Sequence, residues 1–269
     1  FDRAFLVGAG FAIAGAILTP ADGHCDPLRF VRAVADAAVE LGARICLGVE
    51  VVGIVRRGRR AVSLLTTAGE VAVDQLVLAA GAWSPSLAAD LRLRLPIQGG
   101  KGYHVEFQAE SNLPLPVYFA ERRIVATPLG DRLRITGMLQ LAGTNLDVDR
   151  SRVQTIIRQA QTLLASVTAG PVVHVWRGLR PCTPDGLPVI GRAPHTENAI
   201  LATGHGMWGI QLAPVTGALV ADVVCGLPPA AQVEALAPDR FDRSWRLRPK
   251  TGRRGTDAVA EPRIPSRAT

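Results

Sequence analysis

The stretch 178–212, GLRPCTPDGLPVIGRAPHTENAILATGHGMWGIQL, limits the possible fold more than any other part of the chain. Residues 200–203 read as an apolar strand, 204–209 as a glycine-rich turn and 212–225 as a helix. A strand, a glycine turn and a helix in that order let backbone amides approach a flat or phosphorylated cofactor closely. Three glycines, Gly204, Gly206 and Gly209, fall within six residues. They favour close approach over a plain tight turn. Arg180 sits between Leu179 and Pro181 in apolar surroundings. A guanidinium there needs an anionic partner, and its planar fork suits a carboxylate. From the residues alone, a bound substrate and an ion pair with Asp185 are equally good partners.

A second signal precedes this one. Every residue of 75–80 after Gln75 is apolar, and the run ends in AAGAWS, 79–84. Such a run fits a strand buried on both faces, as in a parallel sheet covered by helices. Small residues at its carboxyl end leave room for a ligand. Upstream, Asp26-Pro27 reads as an N-cap and first helical residue, and apolar residues recur at helical spacing from Leu28 to Leu41. Short strands are predicted at 44–47, 50–56, 61–67 and 70–73. Between 95 and 175 the pattern changes to antiparallel strands at 97–107, 117–128 and 132–141, with a hairpin turn at Gly130-Asp131. An amphipathic helix follows at 149–167 and a strand at 172–176. The predicted organisation is a layered α/β domain in two segments, 1–95 and 177–228, with an inserted antiparallel domain at 96–176.

VGAG at 7–10 imitates a dinucleotide fingerprint, but Ile13 stands where the third glycine belongs. The preferred reading of 4–18 is a small-residue helix. The chain opens on Phe, inside an apolar run, so an N-terminal truncation is expected. The net charge of +7 suggests nucleic acid, yet +5 of it lies in 239–269. Residues 229–269 are therefore predicted to form a basic, disordered tail, and no nucleic-acid partner is expected. The four cysteines have no CxxC and no metal-ligand spacing, so neither disulfides nor a metal are expected. A reducing, cytoplasmic setting fits best, with peripheral association at the inner face of a membrane kept open.

AAGAWS, KGY at 101–103, GLRPCTPDGLPVIGR and ATGHGMWGIQLAPVTG together resemble the D-amino-acid oxidase (DAO) family of flavoproteins. The resemblance implies FAD and a glutathione-reductase-like layered domain lacking its first βαβ unit. It also implies an inserted antiparallel substrate domain. The implied reaction oxidises a carbon–nitrogen bond by hydride transfer to flavin N5, giving an imine that hydrolyses to a keto acid. The implied substrate is a D-amino acid, a glycine- or sarcosine-like acid or another small secondary amine. The acceptor is oxygen or a quinone-type respiratory carrier. By the same resemblance, Arg180 clamps the substrate carboxylate, and Tyr103 and Tyr118 supply substrate-side hydroxyls. Val51 meets the adenine region, and Ala80, Gly81 and Trp83 line the flavin side of the sheet. Gly204, His205, Gly206, Met207, Trp208, Gly209, Ile210 and Gln211 follow the ribityl chain and pyrimidine edge. Met207 stands where glycine oxidases carry arginine, which argues against a strict glycine oxidase. The missing GxGxxG keeps an alternative open: a non-catalytic fragment unable to hold FAD by itself.

Overall fold

The computed structural model describes residues 15–109, 113–164, 170–228 and 233–243. Near the N-terminus, α1 (Pro27–Glu40) starts where the Asp26 carboxylate accepts the amides of Leu28 and Arg29 at 3.0 and 3.4 Å. Pro27 occupies the first turn, where its missing N–H does no harm. The apolar face of α1, including Leu28, Val31 and Val34, is exposed. A three-stranded antiparallel meander follows: β1 (Val51–Arg57), β2 (Arg60–Thr66) and β3 (Gly69–Ala72).

The chain then enters the sheet that organises the site. Strand β4 (Leu76–Leu78) pairs in parallel with β11 (Ala199–Thr203), and β11 pairs antiparallel with β10 (Val189–Arg192). Leu78, Ala199, Leu201, Leu91 and Ile54 share one core. Leu76 and Leu78 face this core while Val77 is exposed, so β4 is buried on one face and not on both as expected. Asn198 ties the meander to the sheet. Its Oδ1 accepts from Ala61 N at 2.9 Å, and its Nδ2 donates to Ala61 O and Asp74 O at 2.8 and 2.9 Å.

The five-stranded sheet has the order β6-β7-β8-β5-β9. It comprises β5 (Gln98–Gln108), β6 (Val117–Phe119), β7 (Ile124–Leu129), β8 (Arg132–Leu141) and β9 (Val172–Cys182). Helix α3 (Arg150–Leu163), capped by Asp149, packs Val153, Ile156 and Ala160 onto Val105, Phe107 and Ile135. Helix α2 (Ser84–Asp90) and the long α4 (Gly209–Cys225) complete the layer around β4 and β11. Among the described residues, no helix is long and apolar enough to cross a membrane.

Several expectations change. Residues 44–47 form no strand. The predicted strand 117–128 is two strands, because the chain turns at 120–123 with Arg123 in the left-handed region (φ 52°). Strand β9 runs on to Cys182, so the boundary expected at 176/177 falls inside a strand. Helix α4 begins at Gly209 and absorbs Pro214. The described part of the segment expected as tail, 233–243, has structure. Phe241 is buried in the core beside β10, and Arg240 pairs with Asp185 at 2.8 Å, in a short helix α5 (Arg240–Arg243). The rest of the tail (244–269) and VGAG (7–10) lie outside the described residues. The described end of the 4–18 run, residues 15–18, is not helical.

Candidate functional site

Side chains alternate across a strand, so His174, Trp176, Gly178, Arg180 and Cys182 of β9 share one face of the five-stranded sheet. The Arg180 guanidinium lies over β5 where Gly102 leaves room; a Cβ on Gly102 would overlap it. Gly100 gives similar room to Cys182 and Leu139, and Gly178 to the Trp176 ring.

Arg180 Nη1 donates to Met138 O at 3.3 Å. Met138 presents that carbonyl from a bulge: two residues of β8 oppose Gly102, and Met138 itself has φ 70°. Burial pulls the Arg180 pKa below its ordinary value, opposed by the neighbouring Cys182. The alternative partner, Asp185, is engaged by Arg240. Among the described residues, no carboxylate pairs with Arg180. A half-buried guanidinium with one carbonyl contact is therefore prepared for an anion from outside.

The glycine loop adjoins this arginine. Gly206 N donates to Pro181 O at 3.0 Å, so the loop is bonded to the residue after Arg180. Gly204 (φ 79°) and Gly206 (φ 55°) take left-handed backbone. The His205 imidazole turns inward to Thr216 Oγ1 at 3.0 Å, and burial lowers its pKa. Met207 and Trp208 are exposed. No side chain caps α4, so the first-turn amides of Gly209, Ile210 and Gln211 lack intrahelical acceptors. The 80–83 turn is attached to the same place: Ser84 Oγ lies 2.9 Å from Thr203 Oγ1, which donates to Gly81 O at 3.2 Å. Ala80 is half-buried, Trp83 is exposed, and Gly81 has φ 54°. Backbone and side chains thus converge at the carboxyl ends of β4 and β11, where open α/β sheets bind ligands.

Two expected site residues are placed differently from Arg180. Tyr103 is 1% exposed and lies on the α3 side of β5. Its hydroxyl donates to Gln140 Oε1 and accepts from Asp149 N, both at 3.3 Å. It stands one strand position past Gly102, so its side chain takes the opposite face from the guanidinium. Tyr118 on β6 is 62% exposed; its register with Val125 and Thr136 puts it on the Arg180 face. Val51 opens β1, in a different sheet from the loop. Cys182 is a free thiol on the Arg180 face. Sequence reasoning missed Gly102, Met138 and Trp176. The alternation Gly100-x-Gly102 within a strand was a readable sign of close approach.

Comparison with known proteins gives the family. Residues 3–223 match the family model DAO, FAD dependent oxidoreductase. The chain belongs to that family. A D-amino acid dehydrogenase of Paramagnetospirillum magneticum is 36% identical over 232 residues, covering 85% of this chain and 55% of that protein. One from Rhizorhabdus wittichii is 34% identical, covering 88% and 57%. The crystal structure of glycine oxidase from Geobacillus kaustophilus superposes with a TM-score of 0.71 at 32% identity, over 78% of this chain and 56% of that one. The chain thus spans about half the length of the relatives it matches. The backbone at Gly81 and Gly206 is open enough for the close approach of a flat cofactor such as FAD. Apart from the adjoining residues, no atom lies within 4 Å of where a Cβ on Gly81 or Gly206 would stand, and the uncapped start of α4 follows Gly206 by three residues.

Proposed function

We propose that the complete protein is an FAD-dependent oxidoreductase that oxidises the carbon–nitrogen bond of an amino acid, D-amino acids first. The supporting observation is Arg180: half-buried, bonded to one carbonyl, and without a carboxylate partner among the described residues. The relatives named D-amino acid dehydrogenase favour D-amino acids over glycine. So does Met207 in place of the arginine implied for glycine oxidases.

When bound, FAD supplies a two-electron acceptor. Arg180 holds the substrate carboxylate through its fork and thereby aims the α-hydrogen, so catalysis is chiefly positioning. The 80–83 turn and the 204–211 loop hold the ring, and the α4 amides stabilise negative charge at its pyrimidine edge. Tyr118, on the same face as Arg180, remains the candidate substrate-side hydroxyl. The electron acceptor is oxygen or a quinone-type carrier, separable by an oxygen electrode and a soluble quinone.

Protein made from the complete reading frame should purify yellow, and D-alanine or a similar D-amino acid should bleach it anaerobically. A colourless protein that stays colourless with added FAD would defeat the proposal and favour the non-catalytic reading. Gly102→Ala tests the seat of the guanidinium. The added methyl displaces Arg180, and kcat/KM should fall roughly 100-fold, as for an ångström-scale misplacement of a binding group. Bound FAD, read from the flavin absorbance, should be unchanged.

A further inference from the structure

Two pleats along β5 from Gly102, the same sheet face carries His104, Glu106 and His174, for which the amino-acid oxidation has no use. His104 and Glu106 are two apart on one strand, and His174 is the cross-strand partner of Glu106 on β9. That spacing puts three side chains on one face within reach of a single point. Their donor atoms converge. His104 Nε2 lies 3.4 Å from His174 Nδ1 and 3.6 Å from Glu106 Oε1. His174 Nδ1 lies 4.0 Å from Glu106 Oε2. Taking one ligand atom from each residue, all three lie within 4.8 Å of one another; ligand atoms about 2.0 Å from a tetrahedral zinc ion are about 3.3 Å apart, so the longer edges contract when the ion binds.

We propose that His104, His174 and Glu106 bind one divalent transition-metal ion, with zinc the best match. Two imidazoles and one carboxylate suit zinc, nickel or copper rather than magnesium or calcium. Glu106 is buried and held from the β8 side, Oε2 accepting from Arg132 Nη1 and Oε1 from Arg134 Nη2, each at 2.7 Å, so the metal would share an oxygen with an arginine. The imidazoles approach from β5 and β9, on the other side. The arginines thus orient the carboxylate as an outer shell does, and their charge moderates the affinity. His174 is half exposed, so a water can complete the fourth position. The role is structural. The ion pins the start of β9, an edge strand, to β5. His104 also stacks on Trp176, with ring centres 5.2 Å apart and planes 19° apart. Trp176 covers Gly178. The clip therefore steadies the strand that delivers Arg180.

The test uses the full chain, stripped with a chelator and titrated with zinc chloride against a chromophoric indicator. One zinc per chain is expected. His174→Asn and His104→Gln should each weaken it at least about tenfold. Zinc should raise the melting temperature of the parent but not of His174→Asn, whose exposed position leaves its metal-free folding intact. Cobalt(II) should give visible d–d bands without thiolate charge-transfer absorption, which separates this site from one built on cysteines. No stoichiometric zinc, or parent-like affinity in both histidine variants, would overturn the proposal. A hydrogen-bonded His–His–Glu cluster would then be the full account.

Discussion

Arg180→Ala, in protein made from the complete reading frame, should lower kcat/KM for the amino acid roughly 10²–10⁴-fold, mainly through KM. Each charge-assisted hydrogen bond to a carboxylate contributes about 1.5–3 kcal/mol, and the guanidinium fork makes two. Arg180→Lys keeps the charge and loses the fork, so it should fall between parent and alanine variant. Stability should move the other way. The parent holds a partly desolvated cation with one carbonyl contact. Removing it relieves that burial, so the alanine variant should melt no lower than the parent. Steady-state kinetics with calorimetric melting check both parts. A parent-like KM in Arg180→Ala would remove the arginine from the site.

Asn198→Ala should be among the most destabilising single changes, by about 3–4 kcal/mol. The side chain is 1% exposed and makes three hydrogen bonds to backbone, two of them closing a ring with Ala61. Each neutral bond contributes only about 1 kcal/mol net, but its loss strands a buried backbone group at about 1–3 kcal/mol. Chemical denaturation should show the loss, with a melting point lower by about 10 °C at 2–4 °C per kcal/mol. Asn198→Asp should do no better. It keeps the acceptor for Ala61 N but turns the donor into a second acceptor facing two carbonyls. A loss under about 1 kcal/mol would mean that the meander and the sheet are held together elsewhere.

Local signals were the readable part of this chain. Asp26-Pro27 and Asp149 begin helices because a short carboxylate satisfies free first-turn amides. Gly130 turns a hairpin because it alone adopts φ 67° there without strain. The strand–glycine–helix unit of β11 and α4 was legible from its order of residue types. The misses came where tertiary contacts overrule local preference. Gly178 and Pro181 look like the end of a strand, yet β9 continues through both. Gly178 makes room for Trp176, and Pro181 lies on an edge strand where a ladder donor is dispensable. The residues 120–123 offered no turn residue, only a run of charge, so two strands read as one. Tyr103, named through the family resemblance, stands one position past Gly102, and one position along a strand reverses the face. Phe241 lay in an Arg-rich segment whose composition concealed a core residue.

The amide of Gly206 and the carbonyl of Pro181 have a consequence of their own. This 3.0 Å bond joins the loop beside the uncapped helix to the strand that carries Arg180. A ligand that orders the loop would act on the arginine's strand through this bond, so the ordering cost would be shared between the two sites. Thermodynamic reciprocity makes the effect symmetric: the factor by which one occupant tightens the other is the factor it receives in return. If both sites are occupied in the complete protein, this single backbone hydrogen bond is the direct link between them.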